Sequence, residues 1–104
     1  MIVEFSVIPV GGGVGVSRFV AAAVRELEER GVKHVTTPMS TIIEEEDLEK
    51  ALQHVKAAHE AVFKAGARRV ITVIKIDDRR DVRHHMEDKL KSLEKALREL
   101  STKI

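Results

Sequence analysis

The sequence predicts an α+β sandwich of the ferredoxin-like type, with the element order β-α-β-β-α-β, a four-stranded antiparallel sheet and an additional C-terminal helix. Two observations carry this prediction. Apolar and polar residues alternate near the N-terminus, and two stretches with helical spacing separate the predicted strands. No linker or repeat divides the 104 residues, so we expect a single domain over residues 1–104.

The first predicted strand covers residues 2–9. In this stretch Val3, Phe5 and Val7 alternate with polar residues, which indicates one buried face, and a proline ends the strand. A glycine-rich loop follows at residues 11–15 and connects the strand to a helix.

A helix and two short strands come next. The helix begins at Ser17, whose hydroxyl suits an N-cap, and its apolar residues recur at helical spacing as far as Leu27. Gly31 ends the helix as a C-cap. The β-rich segments 32–37 and 39–44 are expected to pair through the short join between them.

The second half of the chain predicts a helix, a strong strand and a last helix. The acidic run at residues 44–47 opens the second helix, and Gly66 caps it. The fourth strand, residues 68–77, is apolar on both faces, so both faces must be covered, the second one either by another subunit or by the last helix. In the last helix, residues 81–101, a narrow seam has the spacing of a coiled coil and is expected to contact another subunit: Met86, Leu90, Leu93, Leu97 and Leu100.

The composition narrows the range of functions. Eighteen basic and 17 acidic residues leave a net charge of +1, and aromatic residues make up 3% of the chain, so no nucleic-acid partner is expected. Cysteine is absent, which excludes thiolate metal sites and cysteine nucleophiles. No secretion signal or membrane-spanning run is evident, so we expect a cytoplasmic protein without a membrane partner. Dense, balanced charge is typical of heat-adapted proteins.

The glycine loop has a structural and a functional interpretation. It lies between a strand and a helix, as phosphate loops do, but a dinucleotide fingerprint would need glycine where Val16 stands, and no Lys-Ser/Thr pair follows. A tight connection is the favoured interpretation. The free N–H groups at the start of the first helix, with the Ser17 hydroxyl, are the alternative, as a site for a polar ligand group.

Histidines in the last helix suggest metal ligands. His84 and Asp88 are four residues apart, as are Asp81 and His85, so each pair would share one face of a helix. The helix is charged along its whole length, so chance pairing is the favoured interpretation and no metal is expected.

Carboxylates lie at the ends of two predicted strands. Glu44 either begins an acidic helix cap or holds a carboxylate at the rim of the sheet, ready to accept hydrogen bonds. The segment 77–81 alternates in charge and forms either a solvated turn or a salt-bridged subunit contact. No paired acids and no serine with a His-Asp pattern are evident, so we expect neither an enzyme nor a cofactor.

The order and spacing of these segments resemble the thiamine-binding protein family of small ferredoxin-like proteins. The resemblance covers nearly the whole chain and is carried by residues 7–11, 16–21, 41–44, 58–63 with Gly66, 69–72 and 75–81. It implies a non-enzymatic protein that binds thiamine or its hydroxymethylpyrimidine part. It also implies association through the sheets into homodimers or homotetramers.

The resemblance and the chemistry of an aminopyrimidine together give the candidate ligand-binding residues: Ser17, Phe19, Met39, Thr41, Glu44, Thr72 and Asp77. The Glu44 carboxylate would accept from the amine, hydroxyl groups would bond the ring nitrogens, and Phe19 would offer an aromatic face. The alternative function is an oligomeric interaction module that binds no small ligand.

Overall fold

Four strands and three helices follow one another in the predicted order. The computed structural model describes residues 1–11 and 15–102. Its elements are β1 Ile2–Pro9, α1 Ser17–Glu29, β2 His34–Thr36, β3 Thr41–Glu44, α2 Leu48–Lys64, β4 Val70–Asp77 and α3 Met86–Thr102. The strands form one antiparallel sheet in the order β2-β3-β1-β4, which confirms the predicted ferredoxin-like fold.

Helices cover one face of the sheet. Val3, Phe5 and Val7 of β1 point to this face with Ile43 of β3, as their alternation predicts. They pack against the buried residues of α1 and α2: Phe19, Ala23, Leu27, Ala51, Val55, Ala58 and Val62. This layer is the hydrophobic core, and α1 and α2 lie against each other above it.

The other face of the sheet is open. Ile8 of β1 pairs with Ile71 of β4, so both side chains lie on this face, and Val73 joins them two residues along the strand. These three side chains are 44–55% exposed. The helices cover the other side of β4 only in part, because Ile74 and Ile76 on that side are 41% and 40% exposed. The prediction that both faces of this strand are covered is therefore not met by the described part of the chain alone.

The strands and the first two helices end close to the predicted positions. β2, β3 and β4 each begin two residues later than expected. Gly31 and Gly66 follow α1 and α2 with φ of +68° and +112°, a conformation that favours glycine and stops each helix. Ser17 is the first residue of α1 and not its cap, because Val16 holds the N-cap position without a side-chain hydrogen bond. Residues 12–14 of the predicted glycine loop lie outside the described residues.

Two helices start later than the sequence predicts. The acidic run does not enter α2 because Asp47 is the N-cap, with its carboxylate accepting from the Glu49 N–H at 2.9 Å. α3 begins at Met86 and not at residue 81. The residue pairs predicted to share a face of α3 therefore do not do so, because residues 81–85 are not helical.

α3 projects from the sandwich. The radius of gyration is 16.3 Å, against about 13 Å for a compact chain of this length. None of the described side chains of α3 is buried, and the leucines of the predicted seam are 52–61% exposed: Leu90, Leu93, Leu97 and Leu100. Among the described residues, no helix combines the length and apolar character needed to cross a bilayer.

Candidate functional site

A small pocket lies where β1 runs on beyond the end of β3. β1 pairs with β3 as far as Phe5 and Thr41, whereas the rest of β1 pairs with β4 alone. The space beside this last part of β1 is a cavity of about 180 Å³. Most of its walls are apolar, and they include Phe5, Val7, Val16, Val20, Ala23 and Met39. Apolar walls with few polar groups are typical of small-molecule sites.

The turn between β2 and β3 forms one rim of the pocket. The Thr37 hydroxyl accepts from the N–H of Ser40 at 3.1 Å and lies 2.9 Å from the Ser40 carbonyl oxygen, to which it donates. The Thr37 N–H donates to the same carbonyl at 2.8 Å. These bonds fix the turn, and they place Met39 at its tip with 86% of its surface exposed. A flexible thioether side chain at this position can adjust to a ring that enters the pocket.

Thr41 brings a hydroxyl group to the pocket. The residue is 8% exposed and belongs to the pocket wall. Within the described part of the chain, the hydroxyl has no hydrogen-bond partner. The hydroxyl is therefore free to donate to, or accept from, a polar group that enters the pocket.

The predicted binding residues fall into separate places. Met39 and Thr41 line the pocket. Ser17 is exposed and lies next to Val16, which also lines it. Phe19 is 4% exposed and packs in the hydrophobic core.

The other three predicted residues lie away from the pocket. Thr72 is on the helix-covered side of β4 and shares a 2.6 Å hydrogen bond with the His59 ring of α2. Glu44 and Asp77 both pair with Ile2 at the start of β1, so they lie at the opposite end of the sheet. The structure therefore brings together Met39 and Thr41, and separately Glu44 and Asp77.

The Glu44 carboxylate already accepts hydrogen bonds from three groups of its own chain. Its carboxylate accepts from the Met86 N–H at 2.7 Å, from the His85 ring at 3.0 Å and from the Lys33 ammonium at 3.1 Å. The side chain is 12% exposed. Glu44 thus fastens the start of α3 to the sheet, and a ligand amine would have to displace one of these donors.

The environment keeps the Glu44 carboxylate ionised. Burial acts to raise its pKa, but the hydrogen bonds from Met86, His85 and Lys33 outweigh burial and lower the pKa to about 2. The Lys33 ammonium also pairs with Glu87 of α3 at 2.7 Å, which adds a second link between the helix and the sheet. Within residues 1–11 and 15–102, no three His, Asp or Glu side chains are grouped to hold a metal ion.

Sequence reasoning missed two features of this region. One is the anchoring role of Glu44, which depends on donors about forty positions further along the chain. The other is the pocket beside Val7, which exists because β3 is shorter than β1. The proline in the β2–β3 join was a signal that β3 would start late, since proline cannot donate to a ladder.

Comparison with known sequences gives a consistent result. A family model described as thiamine-binding protein matches residues 3–94. A UPF0045 protein of Methanothermobacter thermautotrophicus is 44% identical over 95 residues, which cover 90% of this chain and 96% of that relative. A UPF0045 protein of Bacillus subtilis is 41% identical over 101 residues, covering 92% and 96% of the two chains.

Solved structures show the same fold. A hypothetical protein from Methanocaldococcus jannaschii superposes with a TM-score of 0.80 at 36% identity, over 88% of this chain and 93% of that chain. A protein from Thermotoga maritima, proposed to act in thiamine biosynthesis or salvage, superposes with a TM-score of 0.75. It covers 88% and 96% of the two chains at 20% identity, a likeness that shows the fold alone.

Proposed function

Because this chain belongs to the thiamine-binding protein family, we propose that it binds thiamine, or the hydroxymethylpyrimidine part of thiamine, without catalysing a reaction. The observation that carries the proposal is the apolar pocket beside β1, into which Thr41 brings a hydroxyl group.

The size of the pocket favours one ring of thiamine over two. Its volume of about 180 Å³ is below the range of about 300–1,000 Å³ that is typical of sites for drug-sized ligands. We assign the pocket to the pyrimidine ring, which is neutral and carries hydrogen-bonding nitrogens. The thiazolium ring is then left at the mouth, near the exposed side chain of Met39.

We propose further that the protein acts as a homo-oligomer, a dimer or a tetramer. An isolated helix is only marginally stable in water, and α3 has no buried side chain among its described residues. The leucine seam of α3 and the open face of the sheet are both apolar surfaces that a second copy would remove from water. The same surfaces favour the alternative function, an interaction module without a ligand, so a ligand test must separate the two.

Thermal unfolding with and without ligand is that test. A ligand present at about 100 times its Kd is expected to add about 2.7 kcal/mol to the free energy of unfolding. We expect thiamine and hydroxymethylpyrimidine to raise the Tm, and the thiazole half alone to leave it unchanged. If thiamine, its phosphates and hydroxymethylpyrimidine all leave the Tm unchanged, the binding function is wrong and the interaction module stands.

A conservative change at Thr41 tests the position of the site. Thr41→Val keeps the shape of the side chain and removes the hydroxyl, so we expect the affinity for hydroxymethylpyrimidine to fall about three- to tenfold. The matched control is Thr72→Val, which makes the same change outside the pocket and is expected to leave the affinity unchanged. Titration calorimetry measures both, and equal losses in the two variants would contradict this placement.

A further inference from the structure

The backbone N–H and C=O groups of Val7 point away from β4. The Val10 N–H donates to the Arg69 carbonyl at 2.9 Å, which makes that pair a hydrogen-bonded pair of the β1–β4 ladder. Such pairs alternate along antiparallel strands with pairs that exchange no hydrogen bonds. Val7, opposite Thr72, is in one of the latter, so its N–H and C=O point to the β3 side.

On its other side, Val7 has no residue of β3 opposite it. The Glu45 N–H donates to the Met1 carbonyl at 3.0 Å, so alternate residues from Met1 onward, including Phe5 opposite Thr41, bond to β3. Continuing this register would place Met39 opposite Val7. Met39 lies in the turn instead, and β3 begins at Thr41.

Val7 therefore presents a donor and an acceptor to the pocket. Its residue surface is 9% exposed and it lines the cavity. Among the described residues, no hydrogen bond is made to its N–H or its C=O. Buried backbone groups almost always have partners, so this pair of groups is the kind that a ligand satisfies.

Building on the proposed function, we infer that the Val7 backbone binds the aminopyrimidine edge in place of the missing residue of β3. The N–H donates to a ring nitrogen, and the C=O accepts from the adjacent amino group. The site therefore selects planar heterocycles in which an amino group neighbours an unprotonated ring nitrogen. The hydroxyl of Thr41, which pairs with Phe5 two residues before Val7 on β1, is a further contact.

This arrangement makes a specific demand on the ligand. A hydroxymethylpyrimidine that lacks the amino group loses the bond to the Val7 C=O, and its affinity is expected to fall about three- to tenfold. The 4-oxo analogue places an N–H against the Val7 N–H and an oxygen against the Val7 C=O. Because both bonds are lost, we expect its affinity to fall about 30- to 100-fold.

Amide hydrogen exchange of the ¹⁵N-labelled chain, with calorimetry in parallel, tests the inference. At saturation with hydroxymethylpyrimidine, exchange at the Val7 amide is expected to slow at least about tenfold. The Ile8 amide is the internal control, because Ile8 already pairs with Ile71. A ¹⁵N-labelled pyrimidine is expected to show a coupling to the Val7 nitrogen across the hydrogen bond.

The outcomes separate the inference from the proposed function. If calorimetry shows binding but the Val7 amide and the affinity of the 4-oxo analogue are unchanged, the inference is wrong and the binding function stands. If neither thiamine nor hydroxymethylpyrimidine binds, both are wrong.

Discussion

The double variant Leu93→Lys, Leu97→Lys is expected to be a monomer, whereas the unaltered chain is expected to be a dimer or a tetramer. These leucines are 55% and 52% exposed on a helix that projects from the sandwich. Complete burial of one leucine contributes about 1.5–3 kcal/mol, and a symmetric interface counts each leucine twice. Two lysines at these positions replace that gain with charge that must be desolvated.

Light scattering coupled to size-exclusion chromatography measures the change in mass. Glu99→Lys is the matched control, because it alters the net charge by the same amount on the polar side of α3. We expect the control to keep the mass of the unaltered chain. An unchanged mass for the double variant would contradict a role of the seam in assembly.

Replacing Glu44 with alanine is expected to lower the free energy of unfolding by about 2–3 kcal/mol. The change leaves the Met86 N–H, the His85 ring and the Lys33 ammonium without the carboxylate that they share. Hydrogen bonds to a charged group are stronger than those between neutral groups, and the bond from the Met86 N–H also fixes the start of α3. Glu46→Ala, at an exposed position on the same loop, is the control, and it should change the free energy of unfolding by no more than about 0.5 kcal/mol. Urea unfolding compares the variants.

The contribution of Glu44 is also expected to depend on pH. Its pKa is lowered from 4.5 to about 2 in the folded chain, so the carboxylate stabilises the fold above pH 4.5 and this stabilisation is lost as the pH falls toward 2. The difference in stability between the unaltered chain and Glu44→Gln should therefore shrink across this interval. A difference that stays constant from neutral pH to pH 2.5 would contradict the anchoring role.

Most of the fold was predictable because its signals are local. The alternation of Val3, Phe5 and Val7 marks the buried face of β1, and Gly31 and Gly66 mark helix ends through a conformation that few other residues adopt. The start of α3 was not predictable in this way. Asp88 accepts from the His85 N–H at 3.1 Å within the first turn, but Glu44 accepts from the Met86 N–H from another part of the chain, and no window of neighbouring residues contains that second contact.

The candidate site was predictable in part. Met39 and Thr41 were predicted from their positions in and beside the family motif, and both line the pocket. The same motif includes Glu44. Because β3 runs from Thr41 to Glu44, however, these two residues stand at opposite ends of the strand, and Glu44 lies away from the pocket. Val7 had no signal of its own, because its relevant groups are backbone groups that every residue except proline carries. They matter only because β3 begins too late to pair with them.

A crystal structure of the chain with bound hydroxymethylpyrimidine tests the central claim most directly. We predict the ring in the pocket between Val7 and Thr41, with its amino group within hydrogen-bond distance of the Val7 carbonyl oxygen. A ring bound against Glu44 at the other end of the sheet would contradict the claim.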